Sequence, residues 1–341
     1  MKKVFLLGNH SKRTPTAYRP YQSLLSDSFE FDCTLAKSDI VILGHIRDLY
    51  NVVRETAAIL QSKNIILLSE EPLWDVQSGG VFLDKFYEVQ LYGFDIRIEI
   101  YNFANSDIFE YIHYPYFLTT DDRYFFHYAY MFLDSYKLPL LNIWENTKYQ
   151  YLYIGEKRPE KAVHLTFSDR LESGLRVQGL SDIRASIPTN LPKNKCLLIG
   201  KGWSPTEQTE RQSLLDWHLE KLVLYKGQSL FISALENTLC PNYVTEKLFD
   251  AYAMQGIPVY CNQSGLVKNS LLSDSIFNIR NVKLKMIASH IVDFKPDHAF
   301  IEKYTEARHC LTRMFSNYAD YVDERARFST NVRNILLKYC H

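Results

Sequence analysis

A short segment near residue 245 carries the residue types that bind phosphates and sugars. It reads Asn242-Tyr243-Val244-Thr245-Glu246-Lys247 and follows a predicted strand. The pattern predicts a helix capped by Asn242, with Thr245 and Glu246 in its first turn. The positive charge of Lys247 would then lie near the positive end of the helix dipole and destabilise the helix by about 0.3–1 kcal/mol. An anionic ligand at the helix start would offset this cost. The segment therefore favours an anion site in which Glu246 accepts hydrogen bonds from hydroxyl groups, with a solvated Glu–Lys pair as the alternative.

The predicted elements around this segment alternate between strands and helices. The apolar run at 39–44 is typical of a buried strand in a parallel sheet. Gly256 and Pro258 predict that the helix after Asn242 ends before the next strand begins. This alternation predicts an α/β fold, in which ligands bind beyond the carboxyl ends of the strands. The predicted strands lie at 3–7, 39–44, 65–68, 161–167, 195–200, 229–235 and 257–261, and further helices at 46–62, 214–222 and 300–337.

Polar residues follow the predicted strand at 65–68, at the place where such a sheet binds its ligands. They begin with Ser69-Glu70-Glu71 and continue to Trp74. Farther along the chain, 86–155 is rich in tyrosine and phenylalanine. Aromatic rings can stack on sugar faces and tyrosine hydroxyls can bond to sugar edges, whereas packing in the core is the alternative for each ring.

Composition and charge narrow the classes of protein. The chain has 341 residues with 39 Lys and Arg against 39 Asp and Glu, which argues against a general nucleic-acid binder. Residues 1–160 carry 16 basic and 21 acidic side chains, and residues 161–341 carry 23 and 18. The basic second part suits an anionic ligand such as phosphate, unless the difference is a chance fluctuation. A charged turn at 155–160 is the candidate linker, which predicts domains at 1–157 and 158–341.

Cysteine, histidine and apolar patterns give expectations about compartment and cofactors. The six cysteines are scattered without a C-x-x-C pair, which predicts reduced thiols in the cytoplasm. No H-E-x-x-H pattern occurs, so no metal site is predicted. No apolar run reaches the roughly 18 residues of a membrane span. The region 300–337 mixes acids with bases, which favours a helix packed on the body over one that lies on a membrane.

The segment around residue 245 also resembles a known family. Leu235-Glu236-Asn237-Thr238, the segment 243–248 and Gly256-Ile257-Pro258-Val259 together look like the donor-binding signature of the α-1,3/1,4-fucosyltransferases, glycosyltransferase family 10. The resemblance is strong over 195–262 and faint elsewhere.

The fainter matches to this family concern its proposed catalytic and phosphate-binding residues. Glu70 resembles the glutamate that ends a strand and is the family's proposed catalytic base, with Glu71 as the alternative. Arg184 stands at roughly the place of the family's phosphate-binding arginine. Arg170 and Arg176 are the alternatives for that arginine, and Tyr114-Pro115-Tyr116 fits the family's pattern of a proline flanked by aromatic residues.

The resemblance implies a fold of two Rossmann-like domains facing across a cleft, the GT-B type. The domain at 1–157 would bind the acceptor, and the domain at 158–341 would bind GDP-fucose. No metal or other cofactor would be required, because basic side chains would stabilise the diphosphate. The implied donor-binding residues are Arg184, Asn237, Tyr243, Glu246 and Lys247, and the implied base is Glu70.

The implied activity is inverting transfer of L-fucose from GDP-fucose to a hydroxyl of an oligosaccharide, as an α-1,3-fucosyltransferase. The expected acceptor is a glycan that contains GlcNAc or Glc, such as lipopolysaccharide O-antigen, so lipopolysaccharide biosynthesis or protein glycosylation is the expected process. We expect a cytoplasmic protein, with peripheral association at the inner face of the membrane as a further expectation. The alternatives are a transferase for another nucleotide sugar and a non-catalytic carbohydrate-binding protein.

Overall fold

The structure is a computed structural model. It describes residues 1–72, 84–133, 140–157, 168–170, 176–203, 216–262 and 270–339. The chain forms two compact units. The first contains 1–121, 240–243 and 319–341, and the second contains 122–239 and 244–318. Trp74 and the predicted strand at 161–167 lie outside the described residues.

The described part of the first unit contains a six-stranded sheet in the order β2-β1-β3-β4-β6-β5. All neighbours are parallel except β5 and β6, which form an antiparallel hairpin at one edge. Every residue of β3 is buried, as its apolar run predicts for a central strand. The strands are β1 Lys2–Leu7, β2 Phe29–Glu30, β3 Ile40–Leu43, β4 Asn64–Leu68, β5 Phe86–Leu91 and β6 Phe94–Tyr101.

Helices of the first unit cover this sheet and include the last long helix of the chain. Leu49 and Leu60 pack with Val41, Leu67 and Ile98 in the core on one side of the sheet. The α-helices are Arg19–Leu25, Arg47–Tyr50, Arg54–Leu60 and Tyr318–Leu337, and the 3-10 helices are His10–Arg13, Pro15–Ala17, Leu35–Lys37, Asp107–Phe109 and Tyr116–Thr120.

The aromatic-rich segment of the first unit packs mainly against itself and the last helix. The rings of Phe103 and Phe109 stack with centroids 3.9 Å apart, and Tyr116 lies 4.5 Å from Phe328 of that helix. Tyr114 and Tyr116 are both buried. Core packing, the alternative to sugar stacking, therefore accounts for these rings.

The described part of the second unit contains a parallel five-stranded sheet in the order β10-β7-β11-β13-β14. A separate three-stranded antiparallel sheet has the order β12-β9-β8. The strands are β7 Tyr149–Ile154, β8 Ser168–Arg170, β9 Arg176–Gly179, β10 Cys196–Ile199, β11 Ser229–Ser233, β12 Thr238–Leu239, β13 Ile257–Tyr260 and β14 Phe277–Asn278.

The helices of the second unit include the one that the sequence predicted to bind an anion, Glu246–Ala253. Its buried face includes Leu248, Ala251 and Tyr252, as the spacing of these residues predicts. The α-helices are Asp122–Phe132, Leu140–Glu145, Ser181–Thr189, Trp217–Tyr225, Glu246–Ala253, Ser270–Asp274, Leu284–Asp293 and His298–Met314, with a 3-10 helix at Lys193–Lys195.

The parallel strands of the two large sheets have the same order. If the parallel strands of each sheet are numbered in chain order, they lie side by side in the order 2-1-3-4-5. This is the flavodoxin-like doubly wound arrangement. The predicted fold class, α/β with two Rossmann-like domains, is confirmed. The reversal of strand order lies between β1 and β3 in the first sheet and between β7 and β11 in the second, which is where such sheets bind ligands.

The division of the chain differs from the predicted boundary between 157 and 158. The first segment of the first unit ends at Asp121. Since β7 pairs with β10 and β11, Gly155 follows the first strand of the second unit and does not mark the end of a domain. The last helix belongs to the first unit because Glu324 and Arg325 bond to backbone atoms at 112–119. The pairing of β7 with β10 and β11 thus overrides the local turn signal at 155–160, and contacts over about 200 residues of chain place the last helix.

Two predicted helix starts and extents were wrong, and the predicted helical region 300–337 is divided into the helices His298–Met314 and Tyr318–Leu337. Val53 has an extended backbone, which divides the predicted helix 46–62 into two. Asn242 takes a left-handed φ of 59°, and Thr245 flanks the helix instead. Gln255, not Gly256, takes the left-handed conformation after this helix, with φ 64°. A Cβ atom at 256 would lie 2.5 Å from the side chain of Ile232, so a larger residue there would displace that side chain.

The described residues include neither a helix that could span a membrane nor a cluster that could bind a metal ion. None of their helices is both long and apolar enough to cross a bilayer. The same residues contain no group of three or more His, Cys, Asp or Glu side chains that could hold a metal ion.

Candidate active site

In the second unit, Glu236 organises the start of the helix Glu246–Ala253. Its Oε1 atom accepts hydrogen bonds from the backbone N of Thr245 at 2.8 Å and from Thr245 Oγ1 at 2.9 Å. Only 2% of Glu236 is exposed. Because Glu236 follows β11 after two residues, its carboxylate fixes the helix start near the carboxyl end of a central strand.

Lys247 lies within reach of three oxygen atoms. Its Nζ is 3.1 Å from Oε2 of Glu236, 2.7 Å from Oγ1 of Thr245 and 3.4 Å from Oε1 of Glu246. Burial raises the pKa of Glu236, and the charge of Lys247 opposes that rise. Glu236 thus supplies a structural reason for a lysine in the first helical turn, which the sequence analysis did not anticipate.

Glu246 presents a carboxylate with one oxygen still to be satisfied. Its Oε2 atom is buried and has no hydrogen-bond partner among the described residues. Burial opposes ionisation, but the charges of Lys247 and Lys221 outweigh it and lower the pKa of Glu246. An ionised carboxylate with an unsatisfied oxygen is suited to accept a hydrogen bond from a ligand hydroxyl.

Arg184 and Asn237 form a second pair in this unit. Nη1 of Arg184 donates to Oδ1 of Asn237, and the backbone N of Leu180 donates to the carbonyl oxygen of Asn237 at 2.8 Å. Nε of Arg184 is buried without a partner among the described residues. The dipeptide Glu236-Asn237 therefore connects the Arg184 pair to the Lys247 pair, so two cationic side chains are anchored on neighbouring residues.

The two alternative arginines lie in the three-stranded sheet. Arg170 ends β8 and Arg176 begins β9, directly opposite each other in the antiparallel pair. Their side chains lie outside the described residues.

In the first unit, Glu70 follows β4 after one residue and is bonded through both carboxylate oxygens. Oε1 accepts from Nε of Arg13 at 3.3 Å and from the hydroxyl of Tyr18 at 2.8 Å. Oε2 accepts from the hydroxyl of Tyr116 at 2.9 Å. A carboxylate has about four acceptor positions, so three donors leave capacity for one more hydroxyl.

The environment of Glu70 brings its protonation into the neutral range. Burial raises the pKa of Glu70 to about 7, against the lowering effects of Arg13, Tyr18 and Tyr116. Its side chain is 1% exposed, whereas that of Arg13 is 48% exposed. A carboxyl group poised near neutral pH is suited to proton abstraction.

Glu71 is joined to the same cation and to Tyr243. Its Oε2 lies 3.2 Å from Nη2 of Arg13, and its Oε1 accepts from the hydroxyl of Tyr243 at 2.9 Å. Tyr243 is buried, and its ring packs edge-on against Phe103 at 5.1 Å. Tyr243 belongs to the first unit, so the structure groups it with Glu71 rather than with the other predicted donor-binding residues.

The predicted site residues therefore form three groups. The structure brings together Glu246 with Lys247, Arg184 with Asn237, and Glu70 with the Glu71–Tyr243 pair through Arg13. The residues that sequence reasoning missed are Arg13, Tyr18 and Glu236. Arg13 had a detectable signal, since it lies in the loop after the first strand, where such sheets bind ligands.

One family model matches part of the chain. It is described as "Glycosyltransferase family 10 (fucosyltransferase) C-term", and it matches residues 212–330. This match confirms the resemblance to that family and indicates a glycosyltransferase. Asn237, Tyr243, Glu246 and Lys247 lie inside the matched region, whereas Glu70 and Arg184 lie outside it. No curated protein sequence matches the chain.

Three solved structures are similar to the chain at low sequence identity. An alpha1,3-fucosyltransferase is 13% identical with a TM-score of 0.47, and the match covers 94% of this chain and 91% of that one. An alpha1,3-fucosyltransferase with GDP-fucose is 13% identical with a TM-score of 0.40, covering 95% and 81%. An alpha1,3-fucosyltransferase with GDP is 12% identical with a TM-score of 0.45, covering 94% and 92%.

Proposed function

We propose that this protein is an inverting fucosyltransferase that moves L-fucose from GDP-fucose to a hydroxyl of an oligosaccharide, with α-1,3 linkage. The observation that carries the proposal is the placement of Lys247 between the carboxylates of Glu246 and Glu236, inside the region that matches the fucosyltransferase family. A partly exposed cation at a helix start suits a diphosphate, and a carboxylate with an unsatisfied oxygen suits a sugar hydroxyl.

The second unit would bind the donor without a metal ion. Lys247 and Arg184 would bind the diphosphate, and the planar guanidinium of Arg184 suits two phosphate oxygens at once. Glu246 would accept a hydrogen bond from a hydroxyl of ribose or fucose through its unsatisfied Oε2. Asn237 would shape the loop that holds Arg184.

The first unit would supply the base. Glu70 would take the proton of the acceptor hydroxyl, whose oxygen forms the new bond to the anomeric carbon as the bond from that carbon to the diphosphate breaks. GDP leaves with one additional negative charge, which Lys247 and Arg184 would stabilise, and the configuration at the anomeric carbon inverts. Base catalysis of this kind contributes roughly 10²–10⁴-fold to the rate.

Tyr243 contacts a carboxylate of the first unit. Its hydroxyl bonds to Glu71, so we propose that it influences the carboxylate pair rather than contacting the nucleotide through that hydroxyl. The acceptor is proposed to be a glycan that contains GlcNAc or Glc, and this rests on the family resemblance alone. Cytoplasmic location and peripheral membrane association stay predictions.

The test is calorimetric titration of the full chain with GDP, GDP-fucose, GDP-mannose and UDP-sugars. We expect binding of GDP and GDP-fucose, and fucosyl transfer to a suitable oligosaccharide with inversion observed by NMR. Preference for another nucleotide sugar would identify a different transferase. Failure to bind any nucleotide would favour a non-catalytic carbohydrate-binding protein.

A matched pair of lysine variants shows whether binding uses the predicted site. Lys247→Met should weaken GDP binding strongly, because it removes the cation and keeps the length of the side chain. Lys285→Met changes an exposed lysine of the same unit and should leave the affinity unchanged. Equal affinities for the two variants would remove Lys247 from the donor site.

A further inference from the structure

The second unit contains a continuous chain of two carboxylates and two imidazoles. Oδ2 of Asp216 lies 2.9 Å from Nε2 of His127, and Oδ1 of Asp250 lies 2.9 Å from Nε2 of His218. Between them, the two Nδ1 atoms of His127 and His218 are 2.7 Å apart. The histidine side chains are 10% and 15% exposed, so solvent does not replace these bonds.

The orientation of the two rings shows that the nitrogen–nitrogen contact is a hydrogen bond within the ring planes. The centroids are 5.0 Å apart and the planes differ by 24°. With the Nδ1 atoms only 2.7 Å apart, these atoms must lie near the line that joins the centroids. The N–H bond and the lone pair of imidazole both lie in the ring plane, so each nitrogen points at the other.

Counting hydrogen atoms fixes the charge of this pair. Each Nε2 faces a carboxylate, which only accepts hydrogen bonds, so both Nε2 atoms carry hydrogen. The two Nδ1 atoms need one hydrogen between them to form a hydrogen bond. With no hydrogen, two lone pairs would face and repel each other, and with two hydrogens, two N–H groups would do so. Three hydrogens on four ring nitrogens make one neutral imidazole and one imidazolium.

We propose that His127 and His218 share one proton between their Nδ1 atoms and, in this singly protonated state, position the helical turn that carries Glu246 and Lys247. The protonation state is inferred from geometry alone. Its effect on donor binding rests on the proposed function.

The surrounding charges fit a single positive charge on the pair. Two carboxylates, Asp216 and Asp250, face it, and Lys221 balances one of them with Nζ 2.5 Å from Oδ2 of Asp250. The shared proton balances the other. Although burial opposes ionisation, Lys221 and His218 hold the pKa of Asp250 well below its usual range, so this carboxylate persists as an acceptor.

The other polar groups around the pair come from the helices Asp122–Phe132 and Glu246–Ala253. The ring of Tyr124 meets His218 edge-on at 4.9 Å, and the hydroxyl of Tyr128 lies 3.4 Å from Nε2 of His218. Arg123 acts on His127 through its charge, and Glu246 acts on Tyr128 in the same way. Burial and the neighbouring His218 lower the pKa of His127, whereas the charge and hydrogen bond of Asp216 act to raise it.

Asp250 transmits the state of the pair to the donor-binding turn. It lies one turn after Glu246 in the same helix. The hydroxyl of Tyr128 is 2.8 Å from Oδ1 of Asp250 and 3.1 Å from the carbonyl oxygen of Glu246. If the shared proton is lost, the two Nδ1 lone pairs face and repel each other. If a second proton is gained, two N–H groups face and repel each other. Either change separates the rings and releases His218 from Asp250.

The protonation state is tested first, by NMR of the full chain with ¹⁵N-labelled histidine. We expect two coupled rings that hold three N–H protons in total at neutral pH, and we assign them by comparison with His127→Gln and His218→Gln. Two neutral rings with no shared proton at pH 7 would overturn the proposal. This measurement needs no ligand, so its result stands whether or not the protein binds GDP.

The variant Asp216→Asn tests the positioning role while keeping the fold. Oδ1 of Asp216 accepts from the backbone N of Leu219, and asparagine can keep this cap with its amide oxygen. Its NH₂ group then faces Nε2 of His127 and donates to it. His127 consequently carries its hydrogen on Nδ1 and donates to His218, so the pair keeps its bond with two protons instead of three.

The expected readout is a change in the pH dependence of GDP affinity. Wild type should lose about tenfold in affinity as the pH rises through the loss of the shared proton, an effect of the size of one buried hydrogen bond. Asp216→Asn should keep its neutral-pH affinity and lose this alkaline decline. Taking the ratio of the two affinities at each pH cancels the ionisation of GDP itself.

Controls separate this outcome from unfolding and from failure of the proposed function. His298→Gln changes a histidine that is 87% exposed and should match wild type at every pH. An alkaline decline in Asp216→Asn equal to that of wild type would contradict the positioning role. Absence of GDP binding in wild type at every pH would instead reject both the proposed donor and the positioning role, leaving the NMR result to decide the protonation state.

Discussion

The Nζ atom of Lys247 lies 3.1 Å from Oε2 of Glu236, a carboxylate that is almost completely buried. The lysine therefore has two tasks, to balance this carboxylate and to bind an anionic donor. Removing a cation from a buried carboxylate leaves an uncompensated charge, which costs more than the ion pair gains. Stability and ligand binding must be measured separately at this position.

The pair Lys247→Met and Glu236→Gln separates the two tasks. Lys247→Met should lower the free energy of unfolding by about 1–3 kcal/mol, because Glu236 then lies buried without its cation. Loss of the cation raises the pKa of Glu236 further. The loss of stability in Lys247→Met is therefore smallest below the ordinary pKa of a carboxyl group, where Glu236 is protonated in both proteins. It grows as the pH rises through the pKa that Glu236 has in the folded wild type. Denaturant unfolding at pH 5 and pH 8 measures the difference.

The double variant provides the control for the same experiment. Adding Glu236→Gln to Lys247→Met removes the buried charge and should restore most of the stability, while GDP binding stays weak. If the double variant recovered GDP binding as well, Lys247 would act only as a partner of Glu236. If it recovered neither, the glutamate would matter for its shape rather than its charge.

The strand positions of this site were predictable, whereas its helix start was not. Several interior strands appear in the sequence as apolar runs, and β3 and β13 lie within one residue of their predicted ends. The interior strands β6 and β7 were not predicted. Local rules chose Asn242 as the cap because it is a good capping residue. The actual start is fixed by Glu236, nine residues before Thr245, and no local rule contains that contact.

The sequence also did not predict that the last helix belongs to the first unit. Its C-terminal end was predicted, but its separation from the helix His298–Met314 was not. Its place depends on Glu324, Arg325 and Tyr321, which bond to residues about 200 positions earlier. The grouping of Tyr243 with Glu71 is of the same kind, since 172 positions separate the two residues. Spacing rules describe neighbours within an element and cannot reach such pairs.

Glu70 should give a pH-dependent contribution to stability. Because burial raises the pKa of Glu70 to about 7, the folded protein holds this proton more tightly than the unfolded chain. The stabilisation is complete below the ordinary carboxyl pKa of about 4.3 and is lost as the pH rises towards 7. The difference is on the order of 3 kcal/mol. Urea unfolding of wild type and Glu70→Gln across pH 4.5–8 should show this loss in wild type alone.

The same carboxyl group should control the acidic side of the rate profile. As a base Glu70 must be deprotonated, so kcat/KM should rise with pH and level off above about 7. Glu70→Gln should abolish turnover while GDP still binds. Glu71→Gln is the comparison, and a loss of turnover there with activity kept in Glu70→Gln would transfer the role of base to Glu71.

Arg13 should set the position of that acidic limb. Its guanidinium faces both Glu70 and Glu71, and its charge opposes the rise in the pKa of Glu70. In Arg13→Met the limb should therefore move to higher pH by roughly 1–3 units. Lys12→Met, a change of the exposed neighbour, should leave the profile in place. If the acidic limb of the pH–rate profile has the same position in Arg13→Met as in wild type, Glu70 does not produce it.

Glu324 should be among the most sensitive residues for stability, because one carboxylate oxygen serves a run of backbone groups. Oε2 accepts from the backbone N of Ile112 at 2.9 Å and of His113 at 2.7 Å, next to the segment that presents Tyr116 to Glu70. Only 4% of the residue is exposed, so Glu324→Ala leaves these N–H groups unsatisfied and should cost about 2–4 kcal/mol. Asp323→Ala removes an exposed carboxylate from the same helix and should change stability little.

Amide hydrogen exchange shows whether Glu324→Ala also loosens the segment that holds Tyr116 against Glu70. In Glu324→Ala the amides at 112–120 should exchange faster, while those of β3 keep their protection. Because Tyr116 lies in that segment and its hydrogen bond lowers the pKa of Glu70, its loosening should also move the acidic limb upward in pH. A variant that loses stability but keeps both the exchange rates at 112–120 and the position of the limb would show that Glu324 anchors the last helix without positioning Tyr116.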